Sequence, residues 1–421
     1  MLRAMAKDAT SIFDPTANVE AARQRAARWL AAWDGQGIHR TATAGDNAGA
    51  EWLAREAAAL GGPRAINVLT EEFALERLDP VTAFLEIRGA RIDAVPAFDA
   101  PPSDAGGVSG TIGYPGGATE IAVVELSPRA VYSGEYEELR RSGTHRGFVI
   151  LCAGERPGMG LLNAERFRAP YGAPAVHVAT AARATVLAAA GLGAPARLVA
   201  HGRRTPARGR NVVVTLPGAA PGGPPLVVMT PRSSWWQSTA ERGGGIVCWL
   251  ETLRALLAAP PPTLPSPAGG GGLGRGPAGP VIFTANTGHE LGHLGLDDFI
   301  ARRPGWGRPV VEGGANWVHF GANLGAAGGT LSLVSPDDDL RDIAAAELGR
   351  AGQPHAMAPK TLVPSGETRD IHRAGGRYLT LVGTSPVFHL PQDRWPDAVD
   401  LDAVTRIAAA AARIVVGLTR G

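Results

Sequence analysis

From Gly209 onward the chain alternates short β-branched apolar runs with helical segments, and this alternation constrains the fold more than any other feature. The runs are NVVVTL (211–216), PLVVMT (225–230), PVIFTAN (280–286), NWVHFGA (316–322) and YLTLVG (378–383). Apolar residues at helical spacing mark segments near 243–258, 290–302, 338–349 and 400–419. A run that is apolar at consecutive positions has no face to offer water, so each strand needs cover on both sides. Strands alternating with helices supply that cover in an α/β fold, a mixed, mostly parallel sheet flanked by helices.

The upstream half reads differently. Residues 18–36 and 45–60 have helical periodicity, the second stopped by Gly61-Gly62-Pro63. From about 65 to 205 the chain is strand-like and rich in turns, with EIAVVEL, GFVILCA and APAVHVA bounded by Gly, Pro or Ser and a helix at 179–191. Residues 259–279 are nearly all Pro, Gly, Ala and Ser, too poor in apolar surface to offset their ordering entropy. Their GGGGLGRG lacks the GKS/T ending of a phosphate loop and precedes a strand. The 421 residues therefore divide into a helical opening segment (1–89), a β-rich insertion (90–208) and an α/β core (209–421).

Composition narrows the partners. A net charge of +2 spread over scattered Arg argues against nucleic acid, and His201–Arg210 reads as a solvated basic loop. Two cysteines make no disulfide framework and suit a reducing compartment. MLRAMAKDATSIFDP lacks the apolar stretch of a signal peptide, and no run approaches the ~20 residues of a membrane span. The expectation is a cytoplasmic protein without membrane partners. Its partner would be a small or short peptide-like substrate, and self-association into a homo-oligomer is left open.

In open α/β sheets, sites form at the carboxyl ends of strands. That points to Thr230–Ser234, Thr287–Glu290, Asn323 and the segment at His389. Six segments then resemble one family: HRTATAGDNAGAEWLA (39–54), GAPAVHVA within 90–205, RNVVVTLPG (210–218), GGGIVCWLETLRAL (243–256), GHELGHLGL (288–296) and FHLPQDRWPD (388–397). Their order and spacing resemble the co-catalytic zinc peptidases of metallopeptidase family 28, which include bacterial leucyl aminopeptidase and the glutamate carboxypeptidases. The resemblance implies a zinc-exopeptidase-like core with a protease-associated domain inserted at 90–208.

The resemblance also implies two zincs, but the residues depart from that pattern. Thr230 falls on the first His ligand and Arg232 on its supporting Asp. Glu241 falls on the bridging Asp, His289 on the general-base Glu and Glu290 on a ligand of the second metal. The last ligand of the first metal falls near Ala322 or Asn323, neither a carboxylate, and the final His ligand is His389, followed by Asp393. Three outcomes follow. One zinc is held by Glu241, Glu290 and His389, with His289 as base. Alternatively the site is metal-free, with Arg232 stabilising an oxyanion and Ser233 or Ser234 a nucleophile activated by His289. In the third, catalysis is lost and the chain is a binding or scaffold protein. The expected activity is hydrolysis of amide, peptide or related carbonyl bonds in small substrates.

Other residues carry weaker signals. His289-Glu290-Leu291-Gly292-His293 matches the HExxH zincin pattern, but a strand runs into it rather than a helix, and no third ligand follows at the expected spacing. His293 reads as a helix-face residue and His319 as a buried strand histidine. Trp235 and Trp236 are candidates to line a substrate pocket, and Asp370 and His372 to reach the site from a substrate-side loop. Asp337–Asp339 reads as a helix N-cap with first-turn acids.

Overall fold

The computed structural model describes residues 18–62, 66–154, 156–218, 222–259 and 279–420. Most of the Pro/Gly segment expected to form a surface loop lies outside them. The first two helices, α1 (Val19–Asp34) and α2 (Ala44–Gly61), lie where apolar spacing predicts. Asn18 and Thr43 cap them, their side-chain oxygens accepting the Ala21 and Asp46 amides.

Strand β1 (Asn67–Ile87) follows. The chain then forms β2 (Ala90–Pro96), β3 (Val108–Gly113), β4 (Ile121–Leu126), helix α3 (Glu135–Arg141), β5 (Gly147–Cys152), β6 (Ala175–Val178) and helix α4 (Arg183–Gly191). Strands β3 to β6 form a parallel ladder, and β2 adds to β6 antiparallel. β5 is buried at every position, as its unbroken apolar run requires. The chain returns on β7 (Pro195–Leu216), which pairs antiparallel with β1 from Asn67↔Thr215 to Ile87↔Ala196. β7 therefore runs through the expected 208/209 boundary as one continuous strand.

The core follows as β8 (Leu226–Pro231), α5 (Gly244–Ala258), β9 (Val281–Asn286), α6 (Leu294–Ala301), β10 (Asn316–Phe320), β11 (Leu331–Val334), α7 (Asp338–Arg350), β12 (Ala356–Met357), α8 (Thr368–Arg373), β13 (Arg377–Gly383) and α9 (Leu401–Arg420). The strand order is β7-β9-β8-β10-β13-β11-β12. β9, β8, β10 and β13 are parallel, while β7 and β11 flank them antiparallel. Alternate residues point to opposite faces. Leu226, Val228, Phe283, Val318 and Leu379 pack under α1, α5 and α9, whereas Val227, Met229, Ile282, Trp317 and Tyr378 meet α6 and α8. Among the described residues, no helix is long and apolar enough to cross a membrane.

Two local outcomes differ from the sequence expectation. The helix expected over 290–302 is broken: His289–Leu291 makes one short turn, Gly292 and His293 are left-handed, and α6 starts only at Leu294. β11, β12 and α8, too short to show a period, are additional elements. Asp337 caps α7 as expected, accepting the Leu340 amide at 3.0 Å.

Candidate active site

The parallel strands β8, β9, β10 and β13 end on one edge, and the segments that follow them meet there. These turns are sharp. Ser238, His293, Asn323 and His389 all hold φ between 52° and 61°, a conformation costly for residues other than glycine. Such strain persists only where surrounding contacts over-determine it, and it concentrates at functional sites. A π-helical turn, Thr239–Gly243, precedes α5 at the same edge.

The residues after β8 face inward to the scaffold. Thr230 Oγ1 donates to the Phe320 carbonyl at 2.8 Å. Arg232 is fully buried against Asp46 (2.8 Å); it also donates to the Asp46 carbonyl and, at 2.6 Å, to that of Arg210. Two of its guanidinium nitrogens are thus held inside the fold, by Asp46 of α2 and the Arg210 carbonyl of β7. Ser233 Oγ donates to Glu290 Oε2 at 2.7 Å and accepts the Gly288 and His289 amides at 2.8 and 3.1 Å. Ser234 Oγ donates to the Trp236 carbonyl at 2.7 Å. Neither hydroxyl meets the His289 imidazole. The serine–histidine pairing expected from sequence is not formed, because each hydroxyl is already committed to holding a loop.

Glu241, Glu290 and His389 do come together, but around a cation the chain supplies. Arg242 Nη2 lies 2.7 Å from Glu241 Oε1 and 2.6 Å from Glu290 Oε1, and its Nε donates to the Ser233 carbonyl at 2.7 Å. All three side chains are buried. His389 Nε2 is 3.5 Å from Glu241 Oε1, and its Nδ1 donates to the Leu161 carbonyl at 2.7 Å. Burial alone would raise the Glu241 carboxyl, but Arg242 and then His389 bring it down to about 2. Asp393 accepts the Ala240 and Glu241 amides at 2.6 and 2.9 Å; burial, with Glu241 adding to it, pushes its carboxyl up to about 7.

A second polar cluster lies beside the first, on the α8 side of the sheet. One ligand-type atom from each of His289, His293 and Glu367 lies within 4.8 Å of the others. The His289 and His293 rings are 5.3 Å apart, although no helix joins them: the left-handed turn at Gly292 and His293 brings them together. His289 Nδ1 meets Glu367 Oε2 at 2.8 Å, and His293 Nδ1 meets Asp370 Oδ2 at 2.6 Å. His319 Nε2 approaches Glu367 Oε2 at 3.6 Å. The Nε2 atoms of His293, His319 and His389 and Oε1 of Glu367 are buried without hydrogen-bond partners. Burial opposes ionisation of Glu367, yet His289 and the neighbouring histidines hold it well below the usual carboxylate range. Burial, the largest influence on His293, would lower it, but its Asp370 partner and nearby acids raise it instead.

The connection between β5 and β6 packs over this edge. Beside the Leu161–His389 bond, the Ala164 amide donates to the Glu290 carbonyl at 2.7 Å, and Glu165 pairs with Arg369 at 2.6 Å. His289, His319 and His389 line a cavity of about 50 Å³ that also touches Arg129 and Phe388. A second, larger cavity of about 440 Å³ shares Arg129, Asn323 and Phe388 with it. Of the expected pocket residues, Asp370 reaches the cluster through His293, whereas His372 turns to the Tyr378 hydroxyl at 3.1 Å. Trp235 is buried against Phe98, and Trp236 donates to the His389 carbonyl. Both tryptophans support the site rather than line its cavity. Glu367 and Arg242 were missed by the sequence reading. The only hint of Glu367 was its closeness to the flagged Asp370, and Arg242 adjoins Glu241.

No family profile matches the chain, and no curated protein does. Solved structures do. A zinc aminopeptidase from Bacillus subtilis, BSAP, has 15% identity and a TM-score of 0.71, over 95% of this chain and 94% of its own. A peptidase M28 precursor from Shewanella amazonensis has 14% identity and a TM-score of 0.70, covering 97% of each chain. An aminopeptidase from Aneurinibacillus sp. strain AM-1 has 15% identity and a TM-score of 0.63. The fold is that of an M28-like zinc exopeptidase. The two zincs that the sequence resemblance implies do not fit these residues: Thr230 and Arg232 are engaged elsewhere, and a guanidinium sits between Glu241 and Glu290. His289, His293 and Glu367 form a candidate metal-binding triad, beside which buried donor atoms lack partners.

Proposed function

We propose that this chain hydrolyses amide, peptide or related carbonyl bonds in small substrates, with one divalent metal, zinc, held by His289, His293 and Glu367. The observation that carries this reading is the convergence of those three side chains with partnerless atoms of His293 and Glu367 among them. Two imidazoles and a carboxylate suit catalytic zinc, which takes three protein ligands and keeps a position open. Asp370, bound to His293 Nδ1, fixes the tautomer that leaves Nε2 free, as a carboxylate behind a ligating histidine does. When bound, the metal would polarise a substrate carbonyl and acidify water.

The chain's own groups account for the proton. His389 is among the residues lining the cavity, and because it donates from Nδ1 to a carbonyl, its Nε2, 3.5 Å from Glu241 Oε1, carries the lone pair. An imidazole there can accept a proton from water and return it to a leaving nitrogen. The small size of the cavity beside Arg129 and Phe388 favours small substrates over folded proteins. The competing reading, a non-catalytic pseudopeptidase acting as a scaffold, draws on the cation that Arg242 places between Glu241 and Glu290.

Metal analysis of protein purified without added zinc, paired with an amide and ester substrate panel, separates the two. The expected result is a single equivalent of metal, lost together with turnover in His293→Ala and in Glu367→Gln. Full activity in metal-free protein would overturn the metal assignment, and no turnover on any substrate would favour the scaffold.

A further inference from the structure

Glu241 and Glu290 are buried, negatively charged and aimed at one nitrogen, Arg242 Nη2. Two carboxylates removed from water cannot share a site without a cation between them. His389 adds a neutral donor to the same place, its partnerless Nε2 lying 3.5 Å from Glu241 Oε1. Two carboxylates and an imidazole are a ligand set for a divalent metal. The supporting contacts are intact as well. Ser233 Oγ orients Glu290, Asp393 holds the turn carrying Glu241, and Leu161 fixes the His389 tautomer.

We infer that the Arg242 guanidinium is a built-in substitute for a divalent cation, and that Glu241, Glu290 and His389 form a masked metal site that opens when the guanidinium is removed. The guanidinium lies within hydrogen-bond distance of both oxygens, so an ion cannot occupy the same volume. It is tethered by its own Nε bond to the Ser233 carbonyl. Unlike an ion, it cannot dissociate, be chelated or be displaced by a competing metal. This half of the site thus keeps its positive charge whatever metal is available. The inference does not require the wild-type chain to hold metal at His289, His293 and Glu367, because it concerns the change on removing Arg242.

The test is cobalt(II) and zinc(II) binding to the full chain, read by elemental analysis and by the visible absorption of bound cobalt. Arg242→Ala is expected to bind an additional equivalent compared with wild type and to show a new cobalt spectrum, and both should vanish in Arg242→Ala/Glu290→Gln. Arg242→Lys, which keeps a cation in place, should gain nothing. Without metal, Arg242→Ala should melt well below wild type, since it leaves two buried charges uncompensated, and zinc should restore much of the loss. Equal metal content in Arg242→Ala and wild type would overturn the inference. So would loss of an equivalent from the wild-type background on Glu290→Gln, which would mean that an ion already sits there. If Arg242→Ala stays unfolded even in zinc while Glu241→Gln/Arg242→Ala/Glu290→Gln folds, the site cannot accept a metal and the inference also fails. A wild-type chain without metal, combined with a gain in Arg242→Ala, would count against the proposed function alone.

Discussion

Replacing Arg232 by Met asks whether this cation supports the fold or serves chemistry. Met roughly keeps the side chain's bulk and removes its charge. The side chain is fully buried and gives up its 2.8 Å contact with Asp46 and its hydrogen bonds to two main-chain carbonyls. Asp46 then keeps only the Ala42 amide and the Thr287 hydroxyl, both at 2.7 Å. Breaking one side of a buried ion pair costs ~3–5 kcal/mol, because the remaining charge stays desolvated. That is a large share of a typical folding stability of ~5–15 kcal/mol. Burial already raises the Asp46 carboxyl, and Arg232 is the strongest influence opposing it. In the variant Asp46 takes a proton more readily, so the deficit should shrink as the pH is lowered. The charge-neutral pair Arg232→Met/Asp46→Asn should lie closer to wild type than the single variant. Guanidinium chloride unfolding followed by tryptophan fluorescence measures all three proteins. A deficit below ~1 kcal/mol, or equal losses in the single and double variants, would refute the reasoning. Turnover lost at unchanged stability would instead return Arg232 to the catalytic machinery.

Three further outcomes are expected. Burial pushes both His39 and His177 down from 6.5 to about 3, so the unfolded chain takes up their protons first as the pH falls. Their stabilisation is complete above pH ~6.5 and lost towards pH ~3, at up to ~1.4 kcal/mol per pH unit each; urea midpoints measured from pH 7 to 4.5 should flatten in His177→Gln, and an unchanged slope would contradict this. Gly244→Ala would put a methyl carbon 1.9 Å from the Leu324 carbonyl oxygen, a backbone atom that cannot step aside, so a thermal midpoint within about 2 °C of wild type would show that the turn after β10 yields more easily than its packing implies. Glu165→Ala removes the Arg369 pair that ties the connection between β5 and β6 to α8; it should cost about 1 kcal/mol and speed amide hydrogen exchange in residues 157–167, while exchange unchanged there would show that this connection is held by its other contacts.

The regular core was legible because its signals are local. NVVVTL, PLVVMT and PVIFTAN carry their strand character in consecutive β-branched residues, and the helices before and after them carry a period of their own. The helix expected over 290–302 failed for an equally local reason that periodicity does not register. Gly288 and Gly292 adopt positive φ, and the chain turns before α6 can begin. β11, β12 and α8 are too short to hold a period, and Glu367, at the start of α8, was invisible for the same reason.

The sequence by itself determined the five apolar core strands from NVVVTL to YLTLVG, that they are covered on both faces, and that their trailing segments bear Glu241, His289, Glu290 and His389. It could not decide what those residues meet. Arg242 follows Glu241 in the chain, but only tertiary packing brings Glu290 to its other side. His293 had the look of an ordinary helix-face residue until the left-handed turn and α8 brought it to His289 and Glu367. Ser233 was a plausible nucleophile until the Gly288 and His289 amides claimed its oxygen. The physical reason is common to all three. Periodicity is written along the chain, whereas the charge balance and hydrogen bonding of a buried site depend on groups far apart in sequence that only the closed fold places within reach.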